Sequence, residues 1–124
     1  MKWLAGLTVA ASLFVAPAYA LDCNNATTQV DMNMCANEGY ERVDKALNAL
    51  YSKLKQSLKE DAASTEKLTE AQRAWIAFRD KECAFVGAGY EGGSLQPYVV
   101  TACKTELTEF RNEQLGRHID GDQN

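Results

Sequence analysis

Through the middle of the chain, apolar residues recur at spacings of three and four. Tyr40, Val43, Leu47, Leu50, Leu54 and Leu58 mark one face of a helix. Thr27 or Thr28 suits its N-cap, since a threonine hydroxyl can accept from the free amides of a first turn. The pattern carries this helix to about Lys59. Gly39 interrupts it at a cost of about 1 kcal/mol against alanine. A bend or a close packing point is therefore expected at Gly39, with the segment before it a candidate for a separate short helix.

Glu60 to Thr65 reads as a short polar connection. Ser64 or Thr65 is expected to cap a second helix, whose positive end suits Glu66 and Glu70. Leu68, Ala71, Trp75 and Phe78 form its apolar stripe, and it is expected to end near Phe85. So short a connection makes the first two helices antiparallel neighbours. From Ala84 to Tyr98 the chain reads AFVGAGYEGGSLQPY, and Gly87, Gly89, Gly92 and Gly93 make a turning loop. A third helix is expected to start around Pro97 to Val99, with Pro97 suited to its first turn. Val100, Cys103, Leu107 and Phe110 give its inner stripe, and it should end near Gly116 to Ile119. No strand-like alternation occurs. The expected fold is all-α: a three-helix antiparallel bundle with a long first helix and a Gly-rich loop between the second and third.

The first twenty residues, MKWLAGLTVAASLFVAPAYA, follow a different grammar. Lys2 is followed by an uncharged apolar run from Leu4 to Val15 and by the small-x-small site Ala18-Tyr19-Ala20. This is the pattern of a secretory signal peptide, with cleavage expected after Ala20. The run is too short for a membrane span, which needs about 20 residues, and no second such run follows. Cys23 lies nearby, but Asp22 stands where a lipid-modified cysteine takes a small residue. The division expected is a signal at 1–20 and one helical domain at 21–124, soluble in the periplasm or secreted.

Without Lys2, 12 basic and 17 acidic side chains leave the 104-residue mature part at a net charge of −5. That argues against nucleic acid and anionic membranes as partners and favours a basic one. All four cysteines, Cys23, Cys35, Cys83 and Cys103, fall in this part. An even count in an exported chain suggests two disulfides. Three pairings are possible; Cys23–Cys35 with Cys83–Cys103, each joining neighbours in sequence, is the one expected. The spacing does not suit zinc, and His118 is the sole histidine. No metal or cofactor is expected.

Two polar constellations stand out. Asp44, Asn48 and Tyr51 share one face of the first helix, at i, i+4 and i+7. On the second helix Gln72, Trp75 or Ile76, Arg79 and Cys83 share another. Folding the two antiparallel brings Asp44 level with Arg79 and Asp80, and Asn48 level with Ile76. An Asp44–Arg79 ion pair is expected, with Asn48, Gln72 and Tyr51 hydrogen-bonding nearby, as a device that fixes helix register. Enzyme chemistry is not expected. One histidine makes no Ser-His-Asp set, oxidised cysteines are not nucleophiles, and the pairs Asp80/Glu82 and Glu106/Glu109 have the spacing of a solvated helix surface. The loop follows a helix and lacks a lysine, so it is no phosphate loop. It does carry Tyr90, Glu91 and Ser94, and a Cys83–Cys103 bridge would staple its base. These three residues are the candidate binding tip, because a pre-ordered loop loses less freedom on binding.

Taken together, Cys23, Cys35, Asp44-x-x-Leu47-Asn48-x-x-Tyr51, Gln72-Arg73-x-Trp75-x-x-x-Arg79-Asp80-x-x-Cys83, Cys103 and Arg111 resemble the family named for the LprI lysozyme inhibitor. The likeness covers nearly the whole mature part. Members are small exported bacterial proteins. The resemblance implies, by the family's name, binding and inhibition of a lysozyme or other cell-wall lytic enzyme. A lipid anchor, which the founding member has, does not carry over because the lipidation signal is missing. The reading set against inhibition is a non-enzymatic envelope interaction or stress module with another partner.

Overall fold

The computed structural model describes residues 21–121, so the expected signal at 1–20 lies outside the described residues. Its elements are a 3₁₀ turn at Cys23–Asn25 and three helices: α1 at Gln29–Ser57, α2 at Ala62–Ala88 and α3 at Gln96–Asp120. Thr28 starts α1, its hydroxyl accepting from the Asp31 amide at 3.1 Å. Helix α1 runs unbroken through Gly39. The nearest atom to a Cβ added there would be the Arg42 guanidinium at 3.8 Å, so Gly39 is neither a bend nor a close packing point.

Asp61, not Ser64 or Thr65, caps α2. Its carboxylate accepts from the Ser64 amide at 3.0 Å and from the Ser64 hydroxyl at 2.6 Å. A carboxylate is the stronger partner for these donors. Thr65 instead donates to the Leu58 carbonyl at 2.9 Å and so ties the α1–α2 turn. The second helix continues past Phe85 to Ala88, so Gly87 and Ala88 are helical and the connection is Gly89–Leu95. Helix α3 begins at Gln96, with Pro97 in its first turn, and ends against Gly121.

Consecutive helices are antiparallel, which leaves α1 and α3 parallel. Thr101 donates to the Asn37 side chain at 3.3 Å, and eleven residues further along α3 the Asn112 amide donates to the Val43 carbonyl at 3.0 Å. α3 packs most extensively on α1 and next on α2. Between α1 and α2 the space is filled by long side chains from Tyr40, Tyr51, Trp75 and Arg79.

The apolar core is Leu47, Leu54 and Leu115, flanked by Leu50, Tyr51, Leu58, Leu68, Trp75 and Ile119. Each fully buried leucine contributes about 2 kcal/mol. These residues lie toward one end of the bundle, where α1 turns into α2 and α3 finishes. The stripe read on α1 keeps its register. Those read on α2 and α3 need correction: Ala71, Phe78 and Phe110 are exposed, whereas Gln72, Arg79, Cys83, Thr108 and Leu115 are buried. On α3 Val100, Cys103 and Leu107 remain half-buried, while the deepest positions are Thr108 and Leu115. Thr108 is polar, so apolar periodicity did not point to it.

Candidate functional site

Arg79 is the hub of the interior polar network. Nη1 lies 3.4 Å from Asp44 Oδ1 and donates to the Thr108 hydroxyl at 3.3 Å, while Nε donates to Asp80 at 3.0 Å. The guanidinium sits 5.2 Å from the Trp75 ring centre and 5.5 Å from that of Tyr40, within cation–π range of both. Below it, Arg111 Nε donates to Gln72 at 3.0 Å, and its guanidinium is 5.9 Å from the Trp75 ring centre. Burial lowers the pKa of Arg111 from its ordinary value. Burial likewise raises that of Tyr40, with Arg79 opposing and Asp44 and Asp80 adding to the rise. Tyr51 donates to the Thr69 hydroxyl at 3.3 Å.

Asn48 stands apart from this network. It is exposed, beside Tyr51 and Ile76 at a shallow cleft between α1 and α2. Thr108 and Asn112, which the sequence patterns did not single out, are two of the residues by which α3 joins the other helices. Thr108 is fully buried with its hydroxyl on Arg79, a role its sequence neighbours gave no sign of. Every guanidinium and carboxylate of the Arg79 cluster has a partner inside the fold. The cluster links side chains of all three helices.

The exposed chemistry lies at the other end, where α1 begins, α2 ends and α3 begins. Both disulfides are here: Cys23–Cys35 ties the 3₁₀ turn to α1, and Cys83–Cys103 ties α2 to α3. Around them Phe85 is 75% exposed, Tyr90 45% and Tyr98 37%, with Val86 and Leu95 also open to solvent. The leucine core does not extend to these residues. The covalent crosslinks hold this end together in place of apolar burial, which leaves the aromatic side chains available on the surface.

The Gly89–Leu95 connection is a series of turns. The amides of Tyr90, Glu91, Gly93 and Gln96 donate to the carbonyls of Gly87, Ala88, Tyr90 and Gly93. Gly92 has φ +79°, a conformation an L side chain rarely adopts. At Gly87 an added Cβ would collide with Val100, so the missing side chain is what lets α2 and α3 approach at the base of the loop. The Gln96 side chain donates to the Gly87 carbonyl at 3.3 Å. Tyr90, Glu91 and Ser94 are all exposed on this ordered connection.

Beside the loop, a groove of about 450 Å³ runs between the start of α1 and the first half of α3. The Cys23–Cys35 bridge forms one wall, Ala36, Gly39 and Ala102 its small-residue floor, and Tyr98 its loop end. Glu106 and Glu109 line it further along α3. Among the described residues no group of three or more His, Cys, Asp or Glu could hold a metal ion, and no helix is long and apolar enough to cross a membrane.

Comparison with known proteins places the chain in context. A family described as "Lysozyme inhibitor LprI" matches residues 23–115. The uncharacterized protein R02472 of Rhizobium meliloti (strain 1021) is 37% identical over 114 residues, covering 83% of this chain and 82% of the other. The uncharacterized protein YecT of Escherichia coli (strain K12) is 30% identical over 112 residues, covering 76% and 69%. No solved structure matches.

Proposed function

This chain belongs to the lysozyme inhibitor LprI family, and from that premise we propose that it binds and inhibits a lysozyme-type glycosidase outside the cytoplasm. The observation that carries the reading is the stapled loop end. Lysozyme-type enzymes work with two carboxylates in a cleft. Blocking a cleft calls for a protruding element that is ordered before it binds. The Gly89–Leu95 connection fits that need: successive backbone hydrogen bonds order it, and Cys83–Cys103 holds its base. Tyr90 supplies an aromatic anchor, Glu91 a charge and Ser94 a hydroxyl.

Charge supports the same partner class. At −5 for the mature part, the protein attracts a basic enzyme and speeds encounter at low salt. The polar Arg79 cluster is already satisfied within the fold, which favours a binding protein over an enzyme. A turbidity assay on lysozyme-digested cell walls tests the proposal. Lysis should slow in proportion to added protein, and an undiminished rate at large excess would overturn it. Affinity capture from periplasmic extract is the companion measurement. Repeated recovery of a different protein, without any lytic enzyme, would favour the alternative reading of an envelope interaction module.

A further inference from the structure

We propose that the groove between α1 and α3 is a docking site for a lysine or arginine side chain presented by a basic protein partner. This deepens the inhibitor reading and rests on it for the partner being a basic enzyme.

The argument begins with shape. Gly39, Ala36 and Ala102 add little side-chain bulk to the groove floor. At about 450 Å³ the space admits one long side chain with its flanking backbone. It is lined by apolar surface from Met32, Ala36 and Ala102 for part of its length and by the Glu106 and Glu109 carboxylates beyond. A long cationic side chain matches that order of surfaces, since its methylene stem packs on apolar surface while its charged head seeks polar groups.

Charge selects the occupant. Neither Glu106 nor Glu109 takes part in an ion pair among the described residues; those present involve Asp44 and Asp80. An anionic ligand would meet two like charges here, whereas a cationic one is attracted by both. The groove also adjoins the loop, because Tyr98 lies three residues beyond Leu95. One partner could therefore touch both, with the loop entering a cleft while a side chain from the cleft's rim enters the groove.

The test uses pentalysine as probe and ¹⁵N-labelled oxidised protein. Pentalysine should shift the amide signals of Gly39, Ala102, Glu106 and Glu109 at low salt, and pentaglutamate should not. The double variant E106Q/E109Q should weaken pentalysine binding at least about tenfold. A second variant, G39M, fills the groove while replacing a poor helix former by a good one, so it should keep the fold and abolish the shifts. Shifts located elsewhere, or unaltered by both variants, overturn the proposal. The lysozyme assay separates the two ideas. Equal inhibition by wild type and G39M overturns the groove as a docking site and leaves the inhibitor reading intact. Pentalysine held in the groove without lysozyme inhibition keeps the groove and overturns the inhibitor reading.

Discussion

Arg79 on α2 reaches Asp44 on α1 across 3.4 Å, with the Arg79 side chain only 7% exposed and that of Asp44 37%. The pair is lopsided: the cation is committed to the interior and the anion is partly in water. Arg79 also holds Asp80 and Thr108, so its removal undoes contacts to all three helices. R79A should destabilise the protein by about 3 kcal/mol. D44N should cost less, because Arg79 keeps two other partners. Urea denaturation of both variants checks the order. A melting temperature unchanged in R79A would refute the register role.

Gly87 on α2 faces the Val100 side chain on α3, with no room for a Cβ between them. G87A should cost about 1–3 kcal/mol through overpacking, although alanine is the better helix former. Trimming the opposing side chain in a G87A/V100A double variant should recover part of that loss. A double-mutant cycle measured by chemical denaturation reads the coupling. Additive effects would show that the two positions do not meet.

The two disulfides differ in access. Cys83 is wholly buried, whereas Cys23 is exposed. Thiol–disulfide exchange requires a thiolate to reach sulfur. Mild reduction followed by alkylation should label Cys23 and Cys35 before Cys83 and Cys103, as read by peptide mass spectrometry. Simultaneous labelling would contradict this order.

Asp61 gives α2 a pH dependence. Its carboxylate is held below its ordinary pKa of 3.8, first by the Ser64 hydroxyl and next by the Ser64 amide. A lowered folded pKa adds stability above the unfolded value, and that stability is lost as pH falls through the folded one. Stability should therefore decline on acidification below about pH 4, and D61N should reduce the decline while keeping a competent cap at neutral pH. Thermal melts across that range decide the matter. A decline of equal size in D61N would exclude Asp61 as its source.

Tyr90 is the aromatic tip of the proposed inhibitory loop and is 45% exposed. Y90A should leave the melting temperature nearly unchanged. It should weaken lysozyme inhibition by about thirtyfold or more, the loss expected when a central aromatic anchor is truncated. Full inhibition by Y90A would move the contact elsewhere on the protein.

Much of the architecture was legible in the residues. The leucine spacing marked α1, and Thr28 marked its start. Pro97 marked the beginning of α3, and the exported-type cysteine count marked two crosslinks. The inner faces of α2 and α3 were less legible. An apolar stripe reports a helix's buried side only when apolar residues line it, and here Gln72, Arg79 and Thr108 do. Phe78 and Phe110 fit the expected spacing yet face solvent.

Local chemistry in the sequence determined that the described residues make three helices, because spacing, caps and glycines act over a few residues. It also gave the cysteines and the acidic balance. Tertiary structure alone decided how far each helix is rotated, since burial of a polar group depends on partners supplied by other helices. Arg79 can be buried because Asp44, Thr108 and two aromatic rings meet it there. The same packing set the leucine core at one end and the disulfides at the other. It brought Gly39, Ala102 and Glu106 around one groove, a grouping that residues so distant in sequence do not announce.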